Sequence, residues 1–207
     1  MRIFLFTIFY LAPFIAICQN VSKINKNLEL SDSLTFQKEV RLYKRFGVSN
    51  YTSVLRIYMD NANEWKAEFY EHWFMTNNEK GFNSKKRHLK PKTDIELIYL
   101  NLKLNHILDL PDMNSINWKM VDKGKVITIQ RKINNKGDKK INYELEGRKK
   151  HNIVDGYVIK VQISDYKNNE FSFSNHIEYL KLYPEIDELI FYSEITNLLS
   201  NEFGVWK

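Results

Sequence analysis

The sequence is short of the residues that usually advertise chemistry. One cysteine, Cys18, occurs in 207 residues, inside an apolar N-terminal stretch. Beyond it the chain has no thiol, so neither a disulfide framework nor a thiolate zinc site can form there. His72, His88, His106, His151 and His176 are scattered, with no two at helical metal-ligand spacing. No metal and no cofactor is implied. G-x-S-x-G, a Walker-type loop and GxGxxG are missing. Asp109 and Asp112 bracket Leu110-Pro111 but lack the oxygen-ligand density of a calcium loop. Triads assemble from distant residues, so these absences weaken the case for an enzyme without closing it. Internal repeats and low-complexity tracts are also absent.

What is present begins with MRIFLFTIFYLAPFIAICQN. Arg2 precedes an uncharged run from Ile3 to Ile17, a signal-peptide pattern shorter than the ~20 apolar residues of a membrane span. Lipid attachment at Cys18 requires a small residue before it, and Ile17 is large and β-branched. Cleavage after Cys18 instead puts Ala16 and Cys18 at the small-residue positions of an A-x-A-like site. The expectation is a signal peptide over 1–18, a mature chain from Gln19, and export to the periplasm or beyond, with no transmembrane segment remaining. Lipid anchoring at Cys18 is the weaker alternative. Removing 1–18 leaves 30 Lys+Arg against 25 Asp+Glu. That modest positive balance suits an anionic glycan or envelope surface, and is equally common in proteins that bind neither.

Residues 19–34 are polar without sustained periodicity and read as a tether or poorly ordered lead-in. A single domain over 35–207 follows. Apolar residues alternate in three successive runs: Phe36, Val40, Leu42, Phe46; then Tyr51, Leu55, Ile57, Met59; then Trp65, Ala67, Phe69, Trp73. Period two with turn-rich separators GVSN and DNAN predicts a three-stranded antiparallel meander. The stretch 75–93, with KKRHLKPK, reads as a solvated basic loop rather than a nucleic-acid patch. Thr93 and Glu96 have capping-box spacing ahead of a helix expected over 94–109. KVITIQRKI and KKINYELEG predict strands joined by NNKGD. YVIKVQISD and EFSFSN predict a further hairpin, entered through Asp155-Gly156. The tail reads as two helices, with Pro184 as an N-terminal helical residue of the second and Gly204 as its stop. Asp187, Glu194 and Asn201 mark that helix's wet stripe. The fold class is α+β: an antiparallel sheet beginning with a meander, packed by a central helix and C-terminal helices.

The two turns set the register. Pairing Phe46 with Tyr51 and Met59 with Trp65 keeps each apolar parity on one face. Leu42, Leu55 and Phe69 then align, and Lys44, Ser53 and Glu71 form a polar row on the inward face. A half-buried lysine and glutamate are tolerable as a structural pair; the sharper reading is a ligand or acid/base site at Glu71. The opposite face carries Arg41, Tyr43, Arg56, Tyr58, Lys66, Glu68, Tyr70 and His72. Exposed tyrosines among arginines could stack on sugars or meet acidic groups, which makes Arg41, Tyr43, Arg56, Tyr70 and His72 a candidate binding face. Cross-strand pairs of this kind also simply stabilise sheets.

LRIYMDNANEWKAEFY, HILDLPD and the run from Val154 to Phe203 resemble small exported proteins of unknown function from Bacteroidota. The order of features is similar: a Trp-bearing strand, a leucine-rich helix ending LPD, a D-G-Y hairpin and a Tyr-Pro-Glu tail. Here Ser174-Asn175-His176 stands where a relative often shows Asn-Pro. The family has no assigned activity, so the resemblance implies no catalytic residue. The expected function is a non-enzymatic exported module binding an envelope component, a glycan or a partner protein, with no nucleic acid. The alternatives are an inhibitor or immunity-type partner of a secreted protein, and a hydrolase using Glu71.

Overall fold

A run that alternates apolar and polar residues buries one face of a strand, and three such runs open the domain. In the computed structural model, which describes residues 21–47, 49–75, 81–132, 139–147, 149, 151, 153 and 156–206, they form β1 (Glu39–Phe46), β2 (Tyr51–Met59) and β3 (Trp65–Phe74). The expected cleavage site at Cys18–Gln19, the NNKGD turn and Asp155 lie outside the described residues. β4 (Phe82–His88) follows, then α2 (Ile95–Leu104), after a first helical segment, α1, at 21–27. A 3-10 turn at Met113–Ile116 leads to β5 (Lys125–Lys132) and β6 (Lys139–Glu146). β7 (Tyr157–Ser164), β8 (Asn168–Ser174), α3 (His176–Leu182) and α4 (Asp187–Phe203) complete the chain. The fold is α+β.

Six strands make one antiparallel sheet in the order β4-β3-β2-β1-β7-β8, and β5-β6 make a separate two-stranded ribbon. The meander has the register its turns predict: Leu42 opposite Leu55 and Leu55 opposite Phe69, Lys44 opposite Ser53 and Ser53 opposite Glu71. β1 lies between β2 and β7, so the strand that opens the domain ends in the middle of the sheet. On the inner face Val40, Leu42, Leu55, Ile57, Phe69, Val161 and Phe173 form one core with Ile98, Leu102 and the α4 residues Leu189, Tyr192, Ile195 and Leu199. Asp187, Glu194 and Asn201 are exposed, as the heptad spacing predicts.

Several expectations require correction. The supposed basic loop contains β4, because Lys85, Lys86 and Arg87 find cross-strand partners on β3 in Glu71, Tyr70 and Phe69. α2 is shorter than 94–109, ending at the cap residue Asn105. Its N-cap is Asp94, whose carboxylate accepts the Glu96 N–H at 2.7 Å. Thr93 instead donates its N–H and hydroxyl to Glu202, both at 3.0 Å, tying the helix start to the end of α4. The strand-like alternation of Leu100, Leu102 and Leu104 arises because only Leu102 is buried, while the other two remain exposed. Pro184 sits in the turn before α4, whose N-cap is Ile186. No helix among the described residues is long and apolar enough to cross a membrane.

The joint between β7 and α3 depends on one close approach. Gly156 accepts the Gly47 N–H through its carbonyl at 3.0 Å. Asn175, left-handed at φ 46° and buried, turns its Oδ1 back onto the Tyr157 N–H at 3.0 Å. A Cβ at position 156 would fall 1.6 Å from that Oδ1. Gly156→Ala is therefore expected to lose about 2 kcal/mol of stability in urea denaturation, by displacing Asn175 and orphaning the Tyr157 N–H. A loss below about 0.5 kcal/mol would show that Asn175 swings aside freely.

Candidate functional site

The candidate binding face is covered. Arg41 and His72 are 0 % exposed, and Tyr43, Arg56 and Tyr70 are buried with them. What covers them is the segment expected to be a tether. Residues 21–27 are helical, and the chain then runs on to β1 against the outer face of the meander. Its short apolar pattern was obscured by the surrounding lysines and asparagines. Ile24 and Leu28 pack on Tyr43, Val54 and Tyr70, with Val21, Leu30 and Phe74 at the margin. Asn25 accepts the Tyr43 hydroxyl at 2.9 Å, and Asn27 meets His72 Nε2 at 2.9 Å. Phe36 stacks on Tyr58 with ring centres 4.7 Å apart. The segment is a strap, and the face beneath it is an interior.

Burying charge without counter-charge costs several kcal/mol per ion, so this face must neutralise itself. Glu39 accepts Arg41 Nε and Arg56 Nε, each at 2.7 Å, and the strap N–H groups of Thr35 and Phe36 at 2.7 and 3.0 Å. Arg41 reaches in return to the carbonyls of Ser31 and Ser33. Glu68 accepts Tyr70 at 2.6 Å and Tyr58 at 3.2 Å, and pairs with Lys86 at 2.7 Å and Arg56 at 3.4 Å. Burial pushes both carboxyls up, but for Glu39 the Arg56 hydrogen bond and the Arg41 charge prevail. For Glu68 the Lys86 and Tyr70 hydrogen bonds do the same, so both titrate below the ordinary glutamate value. His72 moves down through burial and the nearby Lys23 charge. Its Nδ1 finds no hydrogen-bond partner among the described residues.

The inner row assembles differently from its expected ion pair. Lys44, Ser53 and Glu71 share a row, yet Lys44 and Glu71 turn to separate partners. Lys44 Nζ lies 4.6 Å from the Tyr157 ring centre and 5.5 Å from those of Phe46 and Trp206, a cation–π enclosure. Ser53 accepts the Trp206 indole N–H at 2.8 Å. Glu71 accepts the Tyr51 hydroxyl at 3.3 Å and stands opposite Lys85. Beside Lys44, the buried His176 contacts Thr196 Oγ1 at 2.8 Å and the Tyr157 hydroxyl at 3.3 Å. Burial and the Lys44 charge take His176 down to about 4. This corner is a packed seam between β1, β7 and α4, with a residual cavity of about 80 Å³.

The strap covers β1–β3 and leaves the outer face of β7 and β8 open. There a cleft of about 450 Å³ is lined by Val158, Lys160, Glu170, Ser172 and Ser174, with Asn114 and Asn117 along one wall and Tyr179 nearby. Asp112 builds that wall. One carboxylate oxygen caps the 3-10 turn through the Asn114 N–H at 3.0 Å; the other takes the edge-strand N–H of Ser172 at 3.0 Å and its hydroxyl at 2.5 Å. Lys160 and Glu170 pair at 2.7 Å across the floor. Trp118, next in the chain to Asn117, is 70 % exposed. Sequence reasoning missed these residues. The outward parity of Lys160 and of Glu170, Ser172 and Ser174 was available as a signal, but not the fact that the strap stops short of them. Among the described residues no group of three or more His, Cys, Asp or Glu could hold a metal ion.

No family model, curated protein or solved structure matches the chain. The geometry alone bears on these residues.

Removing a partner from the buried cluster should be costly. Glu39→Gln is expected to lose about 3–5 kcal/mol in urea denaturation, since Arg41 is left without a carboxylate and Arg56 keeps only its longer contact to Glu68 at 3.4 Å. A loss under about 1 kcal/mol would show that the cluster relaxes into water. Acid should act in two stages. His72 and His176 are held neutral below their unfolded value of about 6.5, so stability declines as pH falls below it. The contribution of Glu39 and Glu68 is present above about 4.3 and is lost as pH falls below that value. Melting temperature measured against pH should show both declines; a flat profile down to pH ~4.5 would contradict the first.

Proposed function

We propose that this protein is a non-enzymatic exported module that binds a glycan in the cleft over β7 and β8. The observation that carries the reading is the cleft's alternation of chemistry. Asn114, Asn117, Ser172 and Ser174 offer amide and hydroxyl groups, while Val158 and Tyr179 supply apolar surface between them. A sugar presents the same alternation of hydroxyls and C–H faces, and aromatic rings stack on the latter. The ionised side chains of the lining are Asp112, Glu170 and Lys160, which balance to within one charge. That favours a neutral sugar over the polyanion suggested by net charge. The hydrolase alternative loses ground because Glu71 lies on the other face of the sheet, away from this cleft. Export belongs to the same reading, supported by the Arg2–Cys18 pattern and by the resemblance to small exported Bacteroidota proteins.

The test is a glycan array followed by calorimetry on the best ligand. Asn114→Ala with Asn117→Ala should weaken binding at least tenfold, about 1.4 kcal/mol, with an unchanged melting temperature. Trp118→Ala should leave the fold intact and report whether the exposed indole forms the lip. Failure of the unmodified protein to bind any sugar, or equal affinity in the double variant, would overturn the reading.

A further inference from the structure

β5 and β6 pair only with each other, and no further strand extends either edge among the described residues. Their root is fixed to the body. Asp122 donates its N–H to Lys149 O at 2.9 Å, and its carboxylate meets His151 Nε2 at 2.9 Å and the Tyr183 hydroxyl at 3.4 Å. A two-stranded ribbon is marginal in water without a third strand or a covering surface. Its register nevertheless gathers Val126 with Leu145, Thr128 with Tyr143 and Gln130 with Ile141 on one face. Val126, Ile141, Tyr143 and Leu145 are exposed there, Leu145 by 82 %.

We propose that this ribbon is a homodimer interface, made by antiparallel pairing of β6 with β6 of a second copy about a two-fold axis at Tyr143. The sequence of β6, KKINYELE, is self-complementary in that register. Lys140 falls opposite Glu146, Ile141 opposite Leu145, Asn142 opposite Glu144, and Tyr143 opposite itself. Every apolar residue meets an apolar residue on the same face, and a charge pair closes each end. The neighbouring registers are worse. A slip of one residue turns the apolar side chains to opposite faces. A slip of two in one direction sets Glu144 against its own copy, and in the other sets Leu145 against Lys139. The outer edge of β5 is unsuited to the same pairing, because KVITIQRK carries three basic and no acidic residues. A two-fold axis satisfies both copies at once and closes the assembly, leaving β5 on each outer edge of a four-stranded sheet. The interface is small, in the size class of weak, reversible complexes.

Sedimentation of the chain expressed from Gln19, over roughly 1–100 µM, should show a concentration-dependent dimer. Lys140→Glu and Glu146→Lys should each weaken it at least tenfold through like charges at both ends, and the double exchange should restore it. Tyr143→Cys in this otherwise cysteine-free chain should cross-link under mild oxidation, since opposed residues of antiparallel strands lie within disulfide reach. Thr128→Cys, on β5, should not. A monomer at every concentration, a dimer indifferent to Lys140→Glu, no recovery in the double exchange, or equal cross-linking from both cysteines would each overturn the proposal. All of these are read without sugar, so the result is independent of the cleft.

Discussion

The Glu39 carboxylate is the contact on which the outer half of the molecule depends. It sits at the start of β1, fully buried, and receives two guanidinium groups from the sheet and two N–H groups from the strap. Each of those groups would be expensive to bury without it. Arg41 then has charge to spare for the strap carbonyls of Ser31 and Ser33, and Arg56 bridges onward to Glu68. A polar interior of this kind adds little net free energy over an apolar one of the same shape. In the seating observed, the strap meets these donors and acceptors together. The apolar contacts of Ile24 and Leu28 supply the driving force, and the ion cluster fixes where it acts.

Much of the sheet was legible in the chain. Period-two alternation gave the meander, and short turns left one register that kept Leu42, Leu55 and Phe69 together. The helix stop at Gly204, with φ 66°, followed from glycine's freedom there. The outer face was legible in composition but not in environment. Arg41, Arg56 and Tyr70 have the same pattern whether they face water or a strap, because alternation reports which residues share a face and not what lies over it. The cover itself spans about two helical turns, too short to carry a helical signature against its polar neighbours. β4 was lost for a related reason: an edge strand with lysines and an arginine avoids stray pairing, and in doing so reads as a loop. At Lys44 the parity was right and the partner wrong, because its aromatic neighbours Tyr157 and Trp206 come from segments more than a hundred residues away.

The two open regions differ in kind. The cleft on β7 and β8 is walled by Asp112 and its 3-10 turn, whose hydrogen bonds to Ser172 also close off the free edge of β8. The ribbon is the reverse, an edge left open and apolar at the end of an anchored stem. The first offers shape for a small polar ligand, the second a template for another strand. In a two-copy assembly the two clefts would sit on one particle, and a repeating polymer could then engage both at once.

The central position of β1 has a consequence for the order in which the molecule can be made. Its partner β2 follows within a few residues, but its other partner, β7, begins at Tyr157, more than a hundred residues after β1 ends. As the chain leaves a ribosome or a translocation pore, β4-β3-β2-β1 can zip up early, with one raw edge along Glu39, Arg41, Tyr43 and Arg45. That edge offers its backbone groups to any passing strand until residues 157–164 have emerged. The last quarter of the chain therefore does more than complete the core: it ends the interval in which the nascent protein is most prone to stick to others.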